Sequence, residues 1–80
     1  MAPPLTEIPN AIRRLLAVIA QSPSDLDTQL SLASLQVIQL VDAIEMAFDV
    51  FIEADDVTRA NFATPRALAT LLASNGVALD

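Results

Sequence analysis

The sequence predicts an all-α fold: a small bundle of three main helices plus one short helix, with a long loop between helices one and two. Three observations carry this. Apolar residues recur at helical spacing in three separate segments. Turn-forming clusters fall between those segments. The single short β-favouring run, Val50-Phe51-Ile52, stands in an otherwise helical chain and reads as a buried loop. Eighty residues make one domain, near the small end of what folds alone, and a hydrophobic content of 54% can fill a helical core without staples.

Met1 to Leu5 is proline-rich and is expected to be a loose tail. Thr6 and Asn10 both offer cap oxygens, and Pro9 is tolerable only in a first turn. Ile8, Ile12, Leu15, Leu16 and Ile19 then draw one apolar helix face, with Arg13 and Arg14 on its solvated flank. Helix one is expected from roughly Ile8 to Ala20, stopped by Gln21-Ser22-Pro23-Ser24. The connection from Ser22 to Ala33 is long for a small bundle. Its Leu26, Leu30 and Leu32 are expected to pack across the bundle, with Asp25 and Asp27 solvated and able to start a short turn.

The longest helix runs from Leu35 to Phe48 and is expected to be the central one. Gln36, Gln39, Asp42, Glu45 and Asp49 form its polar stripe, and Val37, Ile38, Val41, Ile44 and Phe48 its apolar side. Ala54 to Asn61 is expected to make a brief helix, with Asp55 and Asp56 near its positive end. Thr64-Pro65 is a helix start, an N-cap followed by proline at the first helical position. Leu68, Leu71 and Leu72 give that helix its inner face, and Asn75-Gly76 ends it.

Composition narrows the function classes. The chain has no cysteine, so it has no disulfide framework, thiolate metal site or redox switch. It also lacks histidine, tryptophan and tyrosine. A hydrolytic triad, a zinc site and most general-base chemistry near neutral pH are thereby without their usual residue, and the chain is not expected to be an enzyme. A net charge of −6, with arginine as its only basic residue type, repels phosphate backbones and argues against nucleic acid as a partner. Such a surface suits basic patches on partner proteins. The longest apolar run, Leu15 to Ala20, is too short to span a bilayer, and Pro3, Pro4, Glu7 and Pro9 interrupt any secretory signal. A soluble, cytoplasmic monomer with no membrane partner is expected. Asp55-Asp56 lacks the ligand spacing and the glycine of an EF-hand loop, so no metal site is assigned.

The stretch that bears most on function is Leu30-Ser31-Leu32-Ala33-Ser34-Leu35, a loop that ends in a serine and opens the central helix. Two readings of Ser34 compete. Its hydroxyl caps the helix, as serine commonly does, or it carries a covalent group.

This hexapeptide resembles the attachment motif of acyl carrier proteins, commonly Leu-Gly-x-Asp-Ser-Leu. The resemblance continues through Leu40-Val41-Asp42-Ala43-Ile44-Glu45, Phe48, Val50 and Ile52, which are similar to the family's second helix and the loop after it. Asp56-Val57, Asn61-Phe62-Ala63-Thr64-Pro65 and Leu68 look like its third helix and the approach to its fourth. The likeness spans roughly Leu26 to Leu72; helix one agrees in pattern only. Two positions depart from the motif: Ser31 stands at its glycine and Ala33 at its aspartate. In the family that aspartate helps the loading transferase engage magnesium and coenzyme A. Gln36 and Gln39 also stand where many carriers are acidic.

The resemblance implies a single acyl carrier domain over residues 1–80 that tethers acyl or polyketide-type intermediates as thioesters on a 4'-phosphopantetheine arm at Ser34; the methionine start and short tails lead to the expectation of a free-standing carrier, with an excised module the alternative. The implied partners are a phosphopantetheinyl transferase and acyl-loading and acyl-processing enzymes such as a ketosynthase or acyltransferase. Ala33 and the glutamines tilt the expectation towards specialised rather than housekeeping fatty acid metabolism. Leu35 and Met46 are candidate partner contacts, or ordinary exposed apolar residues. Asp42, Glu45, Asp49, Glu53, Asp55 and Asp56 are a candidate recognition face, or a solvated one. The alternatives are a helical protein-interaction module without the arm and an aminoacyl or peptidyl carrier; a ligand-binding helical protein is a further class.

Overall fold

A computed structural model describes residues 5–79. Among the described residues the chain forms α1 (Asn10–Val18), α2 (Ser34–Phe48) and α3 (Pro65–Ser74), with 3-10 turns at Ala54–Asp56 and Ala60–Phe62 and no strand. The expected N-terminal tail lies outside the described residues except for Leu5, which is exposed.

Each helix boundary has a local cause. Pro9 takes the cap position of α1, with ψ 146°, and its carbonyl accepts the Arg13 N–H at 3.1 Å. A residue before proline is turned away from helical backbone, so α1 begins at Asn10 rather than Ile8, and no side chain caps it. The buried stripe is as the spacing predicts: Ile8, Ile12, Leu15, Leu16 and Ile19 are each 5% exposed or less. At the other end Ala20 turns left-handed (φ 58°). Its N–H reaches the Ala17 carbonyl at 3.0 Å and the Gln21 N–H reaches that of Leu16 at 2.9 Å. This pair of bonds is a Schellman motif. The same motif ends α3, where Gly76 (φ 82°) donates to Ala73 and Val77 to Leu72, both at 3.0 Å. The start of α3 follows the sequence reading, with Thr64 Oγ1 accepting the Ala67 N–H at 3.1 Å beside Pro65.

The long connection packs across the bundle. Leu26 and Leu30 are buried and Leu32 is half-buried. The Asp25 carboxylate accepts the Asp27 N–H at 2.8 Å, shaping the expected turn. Two backbone bonds join this connection to the start of α3: Leu30 N–H to the Ala63 carbonyl at 2.8 Å, and Arg66 N–H to the Leu26 carbonyl at 2.9 Å. The Arg66 guanidinium also grips both Asp27 oxygens, at 2.9 and 3.2 Å. That hydrogen bond, with the arginine's charge behind it, holds the Asp27 carboxyl below its ordinary range.

Three expectations are corrected. The brief helix at Ala54 to Asn61 is instead two 3-10 turns. Thr58 Oγ1 accepts the Asn61 N–H and the Asn61 side chain donates to the Asp56 carbonyl, so local bonds displace the α-helical ladder. Ile38, expected on the apolar side of α2, is 64% exposed. Leu40 and Ile44 fill the core fully, whereas Val37, Val41 and Phe48 are only half-buried. The loop Val50-Phe51-Ile52 is buried at Ile52 alone. Extended backbone alternates its side chains, which leaves Phe51 74% exposed.

The two Schellman ends make a matched test. A left-handed residue with a Cβ is strained by about 1–2 kcal/mol, partly offset by the greater entropy that glycine loses on folding. Ala20→Gly is expected to raise stability by about 0.5–1 kcal/mol. Gly76→Ala is expected to lower it by about 1 kcal/mol, although a Cβ there meets nothing within 4 Å. Chemical denaturation checks both; equal stabilities for all three proteins would contradict the strain argument.

Candidate functional site

Residues 29–34 approach α2 from the end that is tied to Ala63. Within this approach Ser31 is left-handed, with φ 49°. Ala33 takes the cap position of α2 in extended backbone, and Ser34 becomes the first residue of the helix. Alanine has no oxygen to cap with. The one side-chain bond at this helix start is that of Gln36, whose Oε1 accepts the Ala33 N–H at 2.9 Å.

Ser34 is therefore not the cap. Its side chain is exposed and, among the described residues, its hydroxyl forms no hydrogen bond. The N–H groups of Ser34, Leu35 and Gln36 open the helix, where no preceding turn supplies carbonyls and Ala33 supplies no cap oxygen. An accessible hydroxyl thus stands beside the positive end of a helix dipole.

Ser34 also lies on the lip of an open groove of about 700 Å³. One wall comes from the approach to α2 and its first turn, including Leu32, Val37 and Ile38. Val57, Thr58, Arg59, Phe62 and Ala63 form the other wall, with Phe62 only 3% exposed. The bond from Leu30 N–H to the Ala63 carbonyl holds the two walls together. The lining mixes polar side chains (Gln29, Ser31, Ser34, Thr58) with apolar ones, carries one cation in Arg59 and contains no carboxylate.

The candidate contacts divide by position. Leu35 (65% exposed) and Met46 (79%) lie with Asp42 and Asp49 along the solvent face of α2. Asp49 ends the helix in left-handed backbone, a conformation that aspartate tolerates. Glu53 and Asp55 are exposed beyond it, while Asp56 is half-buried. Glu45 points another way: its Oε2 accepts the Ile52 N–H at 2.9 Å and holds the loop that follows α2. The face thus contains Leu35, Asp42, Met46 and Asp49 together, with Glu45 in a structural role at its edge.

Sequence reasoning missed Ile38, Phe51 and the far wall of the groove. Ile38 follows Ser34 by one helical turn, a signal masked by the apolar residues on the adjoining face. Arg59 and Thr58 carry no local pattern that points to Ser34. Only the fold brings them to the same groove.

Replacing Glu45 with alanine orphans the Ile52 N–H and is expected to cost about 1–2 kcal/mol. Asp42→Ala, on the open face, is expected to stay within about 0.5 kcal/mol of the parent. Denaturant midpoints separate the two; equal midpoints would remove the structural role of Glu45.

No protein-family model, curated protein or solved structure matches this chain.

Proposed function

We propose that this chain is an acyl carrier protein that bears a 4'-phosphopantetheine arm on Ser34 and presents thioester-bound acyl groups to partner enzymes. The observation that carries the reading is the state of Ser34: an exposed hydroxyl with no bonding partner among the described residues, at the first position of α2. Capping would explain a serine in this stretch, but the cap position belongs to Ala33. The motif resemblance supplies the chemistry that a free hydroxyl here serves.

Two further features support the reading. The family's glycine position is Ser31, whose backbone is left-handed, the conformation glycine adopts without strain. The groove beside Ser34 offers both polar and apolar side chains to a flexible chain leaving the hydroxyl.

Loading forms a bond between Ser34 Oγ and the phosphorus next to the pantetheine half of coenzyme A. The pyrophosphate bond breaks, the adenosine bisphosphate half leaves, and a base on the transferase takes the serine proton. The phosphodiester so placed is an anion at a helix start, where free N–H groups and the dipole favour it by roughly 0.3–1 kcal/mol. The arm supplies the thiol that holds the cargo, so a chain without cysteine is fully equipped for this role.

The proposed partners are a phosphopantetheinyl transferase and acyl-processing enzymes that dock on the α2 face of Leu35, Asp42, Met46 and Asp49. Polyketide-type cargo is the favoured class, with aminoacyl or peptidyl cargo the alternative, and the setting proposed is a cytoplasmic monomer. Among the described residues no helix is long and apolar enough to cross a membrane. An armless interaction module is the competing reading; Ala33, which removes the motif's acid, favours it.

The test is the intact mass of the protein after incubation with coenzyme A, magnesium and a broad-specificity phosphopantetheinyl transferase. One phosphopantetheine increment is expected on the parent and none on Ser34→Ala. The variant loses no hydrogen bond, so its stability is expected within about 0.5 kcal/mol of the parent. An unmodified parent, or a Ser34→Ala that still gains the increment, would overturn the assignment.

A further inference from the structure

α3 ends on Asn75-Gly76, which contains the single glycine of the chain. Three of the carbonyls that the end of this helix leaves open are met within the turn. The Leu71 carbonyl accepts the Asn75 side-chain amide at 2.9 Å and the Ser74 hydroxyl at 2.7 Å. That of Leu72 accepts the Asn75 and Val77 N–H groups, and that of Ala73 accepts the Gly76 N–H, each at 3.0 Å. Beyond the turn, Val77 and Leu79 are half-buried against the core. Gly76 itself is exposed, with nothing within 4 Å of the place a Cβ would take.

An asparagine followed by glycine carries its own reaction. The Gly76 nitrogen can close a five-membered ring on Asn75 Cγ, and a residue without a Cβ neither blocks that approach nor restricts the backbone that brings it about. We propose that Asn75 is a spontaneous modification site of this chain, gated by the turn at the end of α3 and deamidating when that turn opens. In the first step a base in solution takes the Gly76 amide proton and the nitrogen bonds to Asn75 Cγ. The Cγ–Nδ2 bond then breaks, and ammonia leaves with one proton from solvent to give a succinimide. Water adds to either ring carbonyl and opens the ring to aspartate or isoaspartate. The site is independent of Ser34 and of the carrier reading.

The closed turn opposes this chemistry, because both reacting groups are committed to other carbonyls. Gly76 gives its N–H to Ala73, and Asn75 gives its amide to Leu71. Ring closure needs both released together, which is local opening of the turn. The products cannot restore it. Aspartate at position 75 has no N–H for the Leu71 carbonyl, so two acceptors face each other, and its charge sits at the negative end of the α3 dipole. Isoaspartate adds a backbone carbon before Gly76 and takes the Gly76 and Val77 N–H groups out of register with their carbonyls. The modification is one-way, and it loosens the anchoring of Val77 and Leu79.

The experiment incubates the full chain at mildly alkaline pH, in buffer and in guanidinium chloride, and follows the tryptic fragment that begins at Ala67. Asn75 is the one asparagine in that fragment; Asn10 and Asn61, followed by Ala11 and Phe62, serve as controls elsewhere in the chain. A gain of one mass unit at Asn75, with isoaspartate identified by electron-transfer fragmentation, is expected in denaturant. In buffer the same product is expected at a rate at least roughly tenfold lower, as for a turn open less than about a tenth of the time. Val77→Ala, which weakens the anchor beyond the turn, is expected to speed the reaction in buffer and leave the rate in denaturant unchanged. Gly76→Ala is expected to slow it in denaturant, where only the chemistry of ring closure counts. The modified protein, separated by its added negative charge, is expected to unfold at a lower denaturant midpoint than the parent.

An Asn75 that stays intact in denaturant, or that reacts no faster than Asn10 and Asn61, would overturn the site. Equal rates in buffer and denaturant would overturn the gating by the turn. A modified protein with the midpoint of the parent would overturn the one-way loosening of α3.

Discussion

Two backbone hydrogen bonds between the long connection and the start of α3 govern the geometry of this protein. The Leu30 N–H meets the Ala63 carbonyl and the Arg66 N–H meets the Leu26 carbonyl. The second of these occupies an N–H of the first turn of α3, a group that lacks a carbonyl within its own helix. Leu26 and Leu30 are buried beside these bonds, so the connection is fixed by apolar burial and by backbone pairing at the same residues. Everything at the start of α2 inherits its place from this tie. The left-handed turn at Ser31, the uncapped helix start at Ala33 and the exposed Ser34 follow within four residues of it.

The division of α2 into faces is the second organising fact. Leu40 and Ile44 are fully buried in the common core with α1 and α3 residues. Leu35, Ile38 and Met46 remain exposed on the same helix. One helix thus contributes its inner side to stability and leaves an apolar, acid-flanked side open. Glu45 sits at the border and spends its carboxylate on the Ile52 N–H. Burial in the core and bonding to the following loop fix the helix while its outer face stays exposed.

The fold was largely legible because period-3.6 patterns survive in a short sequence. The stripe of α1, the Thr64-Pro65 start and the Asn75-Gly76 end each depend on neighbouring residues and a single local geometry. Boundaries were less legible where one residue serves two purposes. Pro9 acts as a cap rather than a first-turn residue, and Ala20 adopts a backbone usually given to glycine. Ile38 and Phe51 are apolar residues left at the surface, and composition alone assigns such residues to the core. The serine was legible as a candidate, but its two readings differ by one position in the helix start. The structure gives the cap position to Ala33, so Ser34 does not cap the helix. The groove wall at Thr58, Arg59 and Phe62 joins Ser34 only through tertiary contact, which local sequence does not encode.

The central claim is that Ser34, rather than any other hydroxyl of this region, is the point of covalent attachment. Trypsin releases one fragment from Leu15 to Arg59, and it holds Ser22, Ser24, Ser31 and Ser34 together. Electron-transfer fragmentation of that peptide from transferase-treated protein locates the modified residue directly. The account predicts the phosphopantetheine increment on Ser34, with the other three serines unmodified. An increment on Ser31, or a fragment with no increment, would contradict it.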